Sequence, residues 1–299
     1  MTRLWRTGWL LLLIPPLLWS GNFVLARGMR ADVPPVALAF WRWAGAFVFC
    51  LPWAWPHLKR DIPVLRRHWV NTLLLAATGI AAFNTMIYTG LQSTTALNAV
   101  LLQSAIPLFI LLWAIGLFRE LPKPREALGI AVSMAGVVMI AGRGSAAALA
   151  ALHFNPGDLW VVGACIAYAF YTALLRRRPA VNPMSFLAVT FALGAVMLIP
   201  LYALELEDGR HIVMGIPSLL TLGYVMIFPS LIAYLAYNRG VDLIGAGRAG
   251  QFMHLMQVFG TFLAVVFLGE TLHLYHAAGI GLIAAGLILA NRRAHRCGR

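Results

Sequence analysis

Charge is scarce in this chain. Of its 299 residues only 11% are Asp, Glu, Lys or Arg, against about 25% in an ordinary soluble protein. Hydrophobic residues make up 61%, more than a water-soluble fold of this size can hide from solvent. A disordered chain, a nucleic-acid binder and a disulfide-stapled secreted domain do not fit these figures. Acidic residues are scarcer still, 10 against 23 Lys and Arg. Cysteine is limited to Cys50, Cys165 and Cys297. Their odd number and scattered spacing give neither a disulfide framework nor a metal motif. HExxH, GxSxG and P-loop signatures are missing too, so no motif points to zinc-protease, serine-hydrolase or ATP-hydrolysing chemistry. No cofactor or metal is expected. The composition describes an integral membrane protein.

What is present is a succession of apolar runs, each near the ~20 residues that cross a bilayer as a helix. They lie at about 8–27, 35–55, 68–90, 95–118, 125–142, 157–176, 183–204, 217–239, 246–268 and 275–292. The first resembles a signal peptide, with Arg3 and Arg6 ahead of an apolar stretch. No clean small-x-small site follows, so it reads as a retained first span. The runs are continuously apolar rather than alternating, which favours helices over a barrel. With the N-terminus placed inside, most of the basic residues fall in inner segments, such as Lys59, Arg60, Arg66 and Arg67, or Arg176, Arg177 and Arg178. The outer segments carry only Arg27, Arg30, Arg143 and Arg210, and Arg42 lies within the second run. That asymmetry predicts cytoplasmic N- and C-termini.

The chain also repeats itself. Leu25, Arg27, Pro34, Leu38, Gly45 and Ala46 recur 149 positions later as Leu174, Arg176, Pro183, Leu187, Gly194 and Ala195. Gly90, Ala96, Glu120, Gly129 and Gly136 recur 150 positions later as Gly240, Ala246, Glu270, Gly279 and Gly286. The predicted fold is therefore all-α and integral to the membrane, ten transmembrane helices in two five-helix repeats, 1–149 and 150–299. An odd number of spans per repeat inverts the second against the first. This is the symmetry of secondary transporters that open a midplane site to either side.

Several segments resemble a known family. They are Asn98 to Pro107, Phe118 to Glu120, Phe262 to Glu270, Leu18 to Phe23, and Phe40-Trp41-Arg42-Trp43-Ala44. Together they resemble the drug/metabolite transporter superfamily in its EamA-type ten-helix branch, and within it the YddG-type exporters of aromatic and other amphipathic amino acids. The resemblance spans both halves and implies an inner-membrane exporter. One departure is Gln257, which stands where a second proline would match Pro107, so a bend in the fourth span need not recur in the ninth.

Polar groups in hydrocarbon are costly and each needs a reason. His254 shares a helical stripe with Gly247, Gly250, Gln251 and Gln257. His254 and Gln251 are candidates to line a cavity, or else to bond neighbouring helices. Further candidates are Trp19 and Asn22 in the first span, Thr78, Thr85 and Tyr88 in the third, and Ser104 in the fourth. Tyr171 in the sixth span and Tyr234 in the eighth complete the set. A wall built from these would be aromatic with scattered amides and hydroxyls, suited to a solute with an apolar body and a polar head. The tyrosines have an alternative place in the interfacial belt. Arg42 has two readings: it receives a solute carboxylate, or it snorkels outward and satisfies backbone carbonyls beside Trp41 or Trp43. Glu120 and Glu270 read as caps of the helices that follow them. Gly129, Ser133 and Gly136, with Gly279, Gly281 and Gly286, permit close helix packing, internally or across a homodimer. Pro15, Pro16, Pro107 and Pro229 should bend their spans.

Without a carboxylate in mid-span, exchange of a proton for a cation lacks its usual carrier. The expectation is export of small amphipathic metabolites, chiefly aromatic and other neutral amino acids, by alternating access, facilitated by first choice and otherwise weakly coupled to protons through His254. The cavity is predicted from spans one, three, four, six, eight and nine, with five and ten peripheral. The partners are the solute and the lipid bilayer, without nucleic acid, in a monomer or homodimer. A drug or hydrophobic-cation exporter is the alternative, and an intramembrane enzyme a remoter one.

Overall fold

A computed structural model of the chain describes residues 7–94, 96–142, 144, 145, 147, 155–268 and 273–291. Glu270, Arg143, Cys297 and the basic residues at both chain ends lie outside them. Among the described residues every regular element is helical. The helices form rods that we number in chain order. They are α1 (Gly8–Gly28), α2 (Pro35–Arg67), α3 (Trp69–Ser93), α4 (Ala96–Gln103 and Ile106–Phe118), α5 (Pro124–Ala141), α6 (Pro156–Arg177), α7 (Pro183–Glu207), α8 (Ile216–Ile244), α9 (Ala246–Leu268) and α10 (Leu274–Asn291). Seven stretches are long and apolar enough to cross a membrane: α1, α2, α3, Leu101–Phe118 in α4, α6, α7 and α8, with mean hydropathy from 1.4 to 2.2. The other three of the predicted ten, α5, α9 and α10, are helical but are not among these seven. Helix α9 is interrupted at Phe252–His254.

Helix starts follow the sequence. Pro35, Pro124, Pro156 and Pro183 each stand at a first helical position, where a missing N–H costs nothing. Asn155 caps α6 by accepting from the Gly157 N–H at 2.8 Å, and Asp158 returns a bond to the Asn155 N–H at 2.8 Å. The cap of α5 corrects an expectation: Glu126, not Glu120, accepts from the Lys123 N–H, because the residues between Phe118 and Pro124 are not helical and carry Glu120 away to Arg176. The Arg176 guanidinium, hydrogen-bonded to Glu120, holds that carboxyl below the usual carboxylate range.

Helix α2 runs twelve residues beyond its predicted end, through Pro56 and Pro63. The continuation is amphipathic. Ala54, Asp61 and Leu65 are buried while Lys59, Arg60, Arg66 and Arg67 are exposed. Asp61 accepts from the Asn182 N–H at 3.0 Å, at the start of α7. At the far end of the same pair, Glu205 of α7 accepts from the Val36 and Ala37 N–H groups at 3.1 and 2.6 Å, at the start of α2. Each helix of the pair thus caps the other.

Lipid is as apolar as leucine, so helices in it associate through close packing and hydrogen bonds rather than through hydrophobic burial. Helices α5 and α10 meet backbone to backbone. A Cβ placed on Gly136 would lie 2.5 Å from the Gly279 carbonyl oxygen, and one on Gly286 2.5 Å from that of Gly129. This small-residue face is used inside the chain; Gly281 faces open space and takes no part. Helices α3 and α6 meet the same way at Gly90 and Gly157, while between α1 and α8 Gly8 packs on the side chains of Leu243 and Ile244 and Gly240 on that of Leu12. The prolines act as expected in α1, which is interrupted at Leu12–Leu13 before Pro15, and in α4, interrupted at Ser104–Ala105 before Pro107. Helix α9 breaks its winding at the equivalent place, Phe252–His254, without a proline. Wide π-helical turns occupy Ala76–Ala82 of α3 and Ile227–Ile232 of α8, the latter around Pro229.

Candidate functional site

Where α1, α2, α3, α6 and α8 converge, a buried arginine sits among aromatic rings. Arg42 is 1% exposed. It neither snorkels nor pairs with an acid: among the described residues no carboxylate lies within 4.0 Å of it. Its Nε donates to Ser230 Oγ at 2.6 Å and one terminal nitrogen to Pro229 O at 3.0 Å. The other terminal nitrogen donates to Tyr88 Oη at 2.6 Å and Asn22 Oδ1 at 3.3 Å. The guanidinium also lies 4.7 Å from the centre of the Trp43 ring, a cation–π contact of about 0.5–2 kcal/mol. Burying an unpaired ion costs several kcal/mol. Neutral dipoles and one ring face are what offsets that cost here.

The π-helical turn in α8 supplies half of this cradle. Pro229 has no N–H to give its helix, and the next residue repairs the ladder: the Ser230 hydroxyl donates to Val225 O at 2.6 Å while accepting from Arg42. Pro229 O takes Arg42 and the indole N–H of Trp19, the latter at 2.8 Å.

Beside this cradle the rings pack on one another, some edge to face and some tilted. Trp19 lies 5.8 Å from Tyr168, 5.8 Å from Tyr234 and 5.4 Å from Tyr237. Tyr168 meets Phe83 at 4.4 Å and Tyr171 at 5.5 Å, and Trp43 meets Tyr234 at 5.3 Å. These arrangements suit the ring quadrupoles. The hydroxyls are spoken for with one exception. Tyr234 donates to Gly79 O at 2.6 Å in the π-helical turn of α3, Tyr171 donates to Asn238 Oδ1 at 2.7 Å, and Tyr237 shares a bond with Thr172 at 3.2 Å. The Tyr168 hydroxyl is buried without a partner among the described residues. The tyrosines are therefore central. Trp53, Trp55 and Trp69, by contrast, are exposed.

His254 and Gln251 belong to a different place. His254 Nε2 lies 2.9 Å from the Ser104 carbonyl oxygen, which only accepts, so that nitrogen carries the proton. Nδ1 faces Ser133 Oγ at 2.6 Å. The imidazole thus ties α9 to α4 and α5. Gln251 Nε2 reaches the Glu126 carbonyl at 3.5 Å, and Gly250 abuts Ile110 of α4. The stripe on α9 faces α4 and α5, away from the arginine cradle.

The structure therefore gathers Trp19, Asn22, Arg42, Tyr88, Tyr171 and Tyr234 around one centre and sets His254, Gln251 and Ser104 apart at a second. Thr78 back-bonds to Leu74 O of its own helix at 2.7 Å, and the buried Thr85 hydroxyl has no partner among the described residues. Sequence reasoning missed Ser230, the Pro229 carbonyl and Gly79. The Pro229-Ser230 pair within an apolar run was the available signal, because the proline removes a donor that a hydroxyl beside it replaces.

At the basic end of the bundle, a cleft of about 640 Å³ is lined by Phe118, Glu120, Arg176, Arg178, Asp242 and Arg248, among others. Arg178 and Asp242, paired at 2.6 Å, also line a smaller cavity of about 140 Å³ that reaches Asn238, the acceptor of the Tyr171 hydroxyl.

A helical chain with several membrane-crossing rods, a polar centre buried between them and a cleft at one end has the build of a multi-pass membrane transporter. Residues 6–142 and 155–292 each match the EamA-like transporter family, and the chain belongs to that family. It is 26% identical over 289 residues to an uncharacterized transporter of Archaeoglobus fulgidus, covering 96% of this chain and 98% of that one. It is 22% identical to the uncharacterized inner membrane transporter YicL of Salmonella typhimurium, covering 98% of each. A solved crystal structure 21% identical in sequence superposes with a TM-score of 0.77 over 95% of this chain and 96% of that one, a likeness of fold.

Proposed function

We propose that the chain exports small amphipathic metabolites, aromatic and other neutral amino acids foremost, across the inner membrane by alternating access. The observation that carries this is the buried centre itself: an aromatic wall with a polar head group set into it, placed where helices of both halves meet. It matches a solute with an apolar side chain and a charged end. In this conformation the rings are packed on one another, so the site is closed.

Alternation between two faces asks for two halves of opposite orientation, and the contacts agree with that. Gly129 with Gly286 and Gly279 with Gly136 are one contact with the halves exchanged. Gly90 and Gly157, at the contact of α3 with α6, have their counterparts in Gly240 and Gly8, at the contact of α8 with α1. Asp61 and Glu205 exchange roles as caps, and the π-helical turns fall at equivalent positions. Ten spans in two inverted repeats, 1–149 and 150–299, account for all of these. The basic end is then cytoplasmic, with both termini. Inner-membrane residence is the location named for relatives such as YicL.

Transport down the solute's own gradient fits the placement of the acids. Asp158, Glu205 and Asp242 sit within a turn of a helix end and Asp61 two turns from one, each held by a cap or an ion pair. Purified protein in liposomes, offered aromatic amino acids and hydrophobic cations with and without a pH gradient, tests the proposal. Amino-acid flux that survives collapse of the gradient is expected. Flux of cations alone, or flux that needs an imposed proton gradient, overturns it.

A further inference from the structure

We infer that Arg42 is the receptor for a carboxylate on the transported solute. The site then accepts acids and zwitterions with an apolar body and rejects amines of the same shape. This rests on the transport proposal above and names the substrate class of the same site.

Three features of the cradle carry the inference. First, the guanidinium is buried with no carboxylate beside it among the described residues, and its four hydrogen bonds use four of its five N–H donors on neutral acceptors. A carboxylate is the ligand that supplies the missing charge, and the planar fork matches it in a paired geometry.

Second, every group that now accepts from Arg42 keeps a partner when the arginine turns away. Ser230 Oγ retains Val225 O, and Pro229 O retains the Trp19 indole N–H. Tyr88 Oη and Asn22 Oδ1 retain each other at 2.9 Å. Release of Arg42 therefore strands no buried polar group, which a purely structural arginine does not require of its partners.

Third, the apolar wall begins at the guanidinium itself. Trp43 stacks on it, and Trp19 shares its Pro229 acceptor and leads to Tyr168, Tyr234 and Tyr237. A carboxylate bound at Arg42 directs its apolar substituent into those rings. A cationic head at the same place meets a fixed like charge in a medium that screens poorly.

The test is competition against labelled phenylalanine flux in liposomes holding the full chain. The competitors share one ring and differ in the head group: phenylalanine, 3-phenylpropionate, phenethylamine and phenylalaninamide. The two carboxylates should compete at least about tenfold better than the two amines, the worth of a charge-assisted hydrogen bond. Arg42→Gln should abolish that ratio, and Arg42→Lys should keep part of it. The wild-type ratio decides the matter even where a variant fails to fold. Equal competition by phenethylamine overturns the role of Arg42 and leaves the transport proposal standing. Equal loss toward all four competitors in a folded Arg42→Gln variant also overturns it, since a structural arginine would give that result. Absence of phenylalanine flux alongside flux of a hydrophobic cation overturns both.

Discussion

Gly79→Ala tests whether the aromatic centre is seated on the π-helical turn of α3. A Cβ at Gly79 would stand 2.2 Å from Cδ2, 2.5 Å from Cγ and 2.6 Å from Cε2 of Tyr171. Ordinary contact needs about 3.5–4.0 Å, so the ring must move by more than an ångström. It has little freedom to do so. Cγ lies next to the backbone, the hydroxyl is tied to Asn238, and Tyr168 and Tyr234 flank the ring. Forcing a methyl into such packing costs about 1–3 kcal/mol. Losing the Tyr171–Asn238 bond adds about 1 kcal/mol, and the better helix propensity of alanine returns about 1 kcal/mol. The net loss is about 1–3 kcal/mol. The assay is thermal unfolding of the detergent-solubilised protein beside flux in liposomes, with Gly281→Ala as control because nothing lies within 4 Å of that position. Gly79→Ala should lower both readouts and Gly281→Ala neither. A Gly79→Ala protein as stable and active as wild type would refute the packing described for Tyr171.

Two further outcomes follow from the helix contacts. Gly136→Ala and Gly279→Ala should each destabilise by about 1–3 kcal/mol, since each methyl meets a facing carbonyl that cannot yield without parting the helices. Their double variant should cost less than the sum, because one separation relieves both clashes; strict additivity in unfolding measurements would contradict the shared contact. His254→Ala should destabilise by about 2–4 kcal/mol, through a cavity and the loss of the bond to the Ser104 carbonyl, while the KM of the folded fraction stays unchanged; a raised KM at unaltered stability would move His254 into the solute path.

How much of this was legible in the sequence depends on the range of the interaction. Helix starts at Pro35, Pro156 and Pro183, the glycine faces of α5 and α10 and the break before Pro107 are local signals, and they are where composition puts them. The far half of α2 was not legible as helix, because Pro56, Pro63 and four basic residues mask a buried line of Ala54, Asp61 and Leu65 that only α7 makes sense of. The site divides the same way. That Tyr168, Tyr171, Tyr234 and Tyr237 are polar-tipped rings in apolar runs is plain, but interface and centre give the same pattern. Membership of one centre is fixed by contacts across some 20 to 210 positions, from Arg42–Asn22 to Trp19–Pro229. His254 drew attention as an ionisable group in mid-span, and it is satisfied by Ser133 and Ser104, which a sequence does not bring together.

The membrane potential offers a separate check on transport without a coupled ion. A facilitator moves only the charge its solute carries, so the zwitterion phenylalanine should distribute evenly across liposomes whatever the potential. The monoanion 3-phenylpropionate should not. One elementary charge in 100 mV is worth about 2.3 kcal/mol, which is about fifty-fold in concentration. With the inside negative, the anion is driven outward until that ratio is reached. The fixed charge of Arg42 does not alter the end point, because it returns with each cycle of the empty carrier; it alters only the rate. Potassium-diffusion potentials of either sign, imposed on liposomes preloaded with one solute or the other, give both ratios. An even distribution for phenylalanine and a potential-dependent one for 3-phenylpropionate is the expected pair. Accumulation of phenylalanine against its gradient under a potential alone would require a co-transported ion, and the facilitated mechanism would then fail.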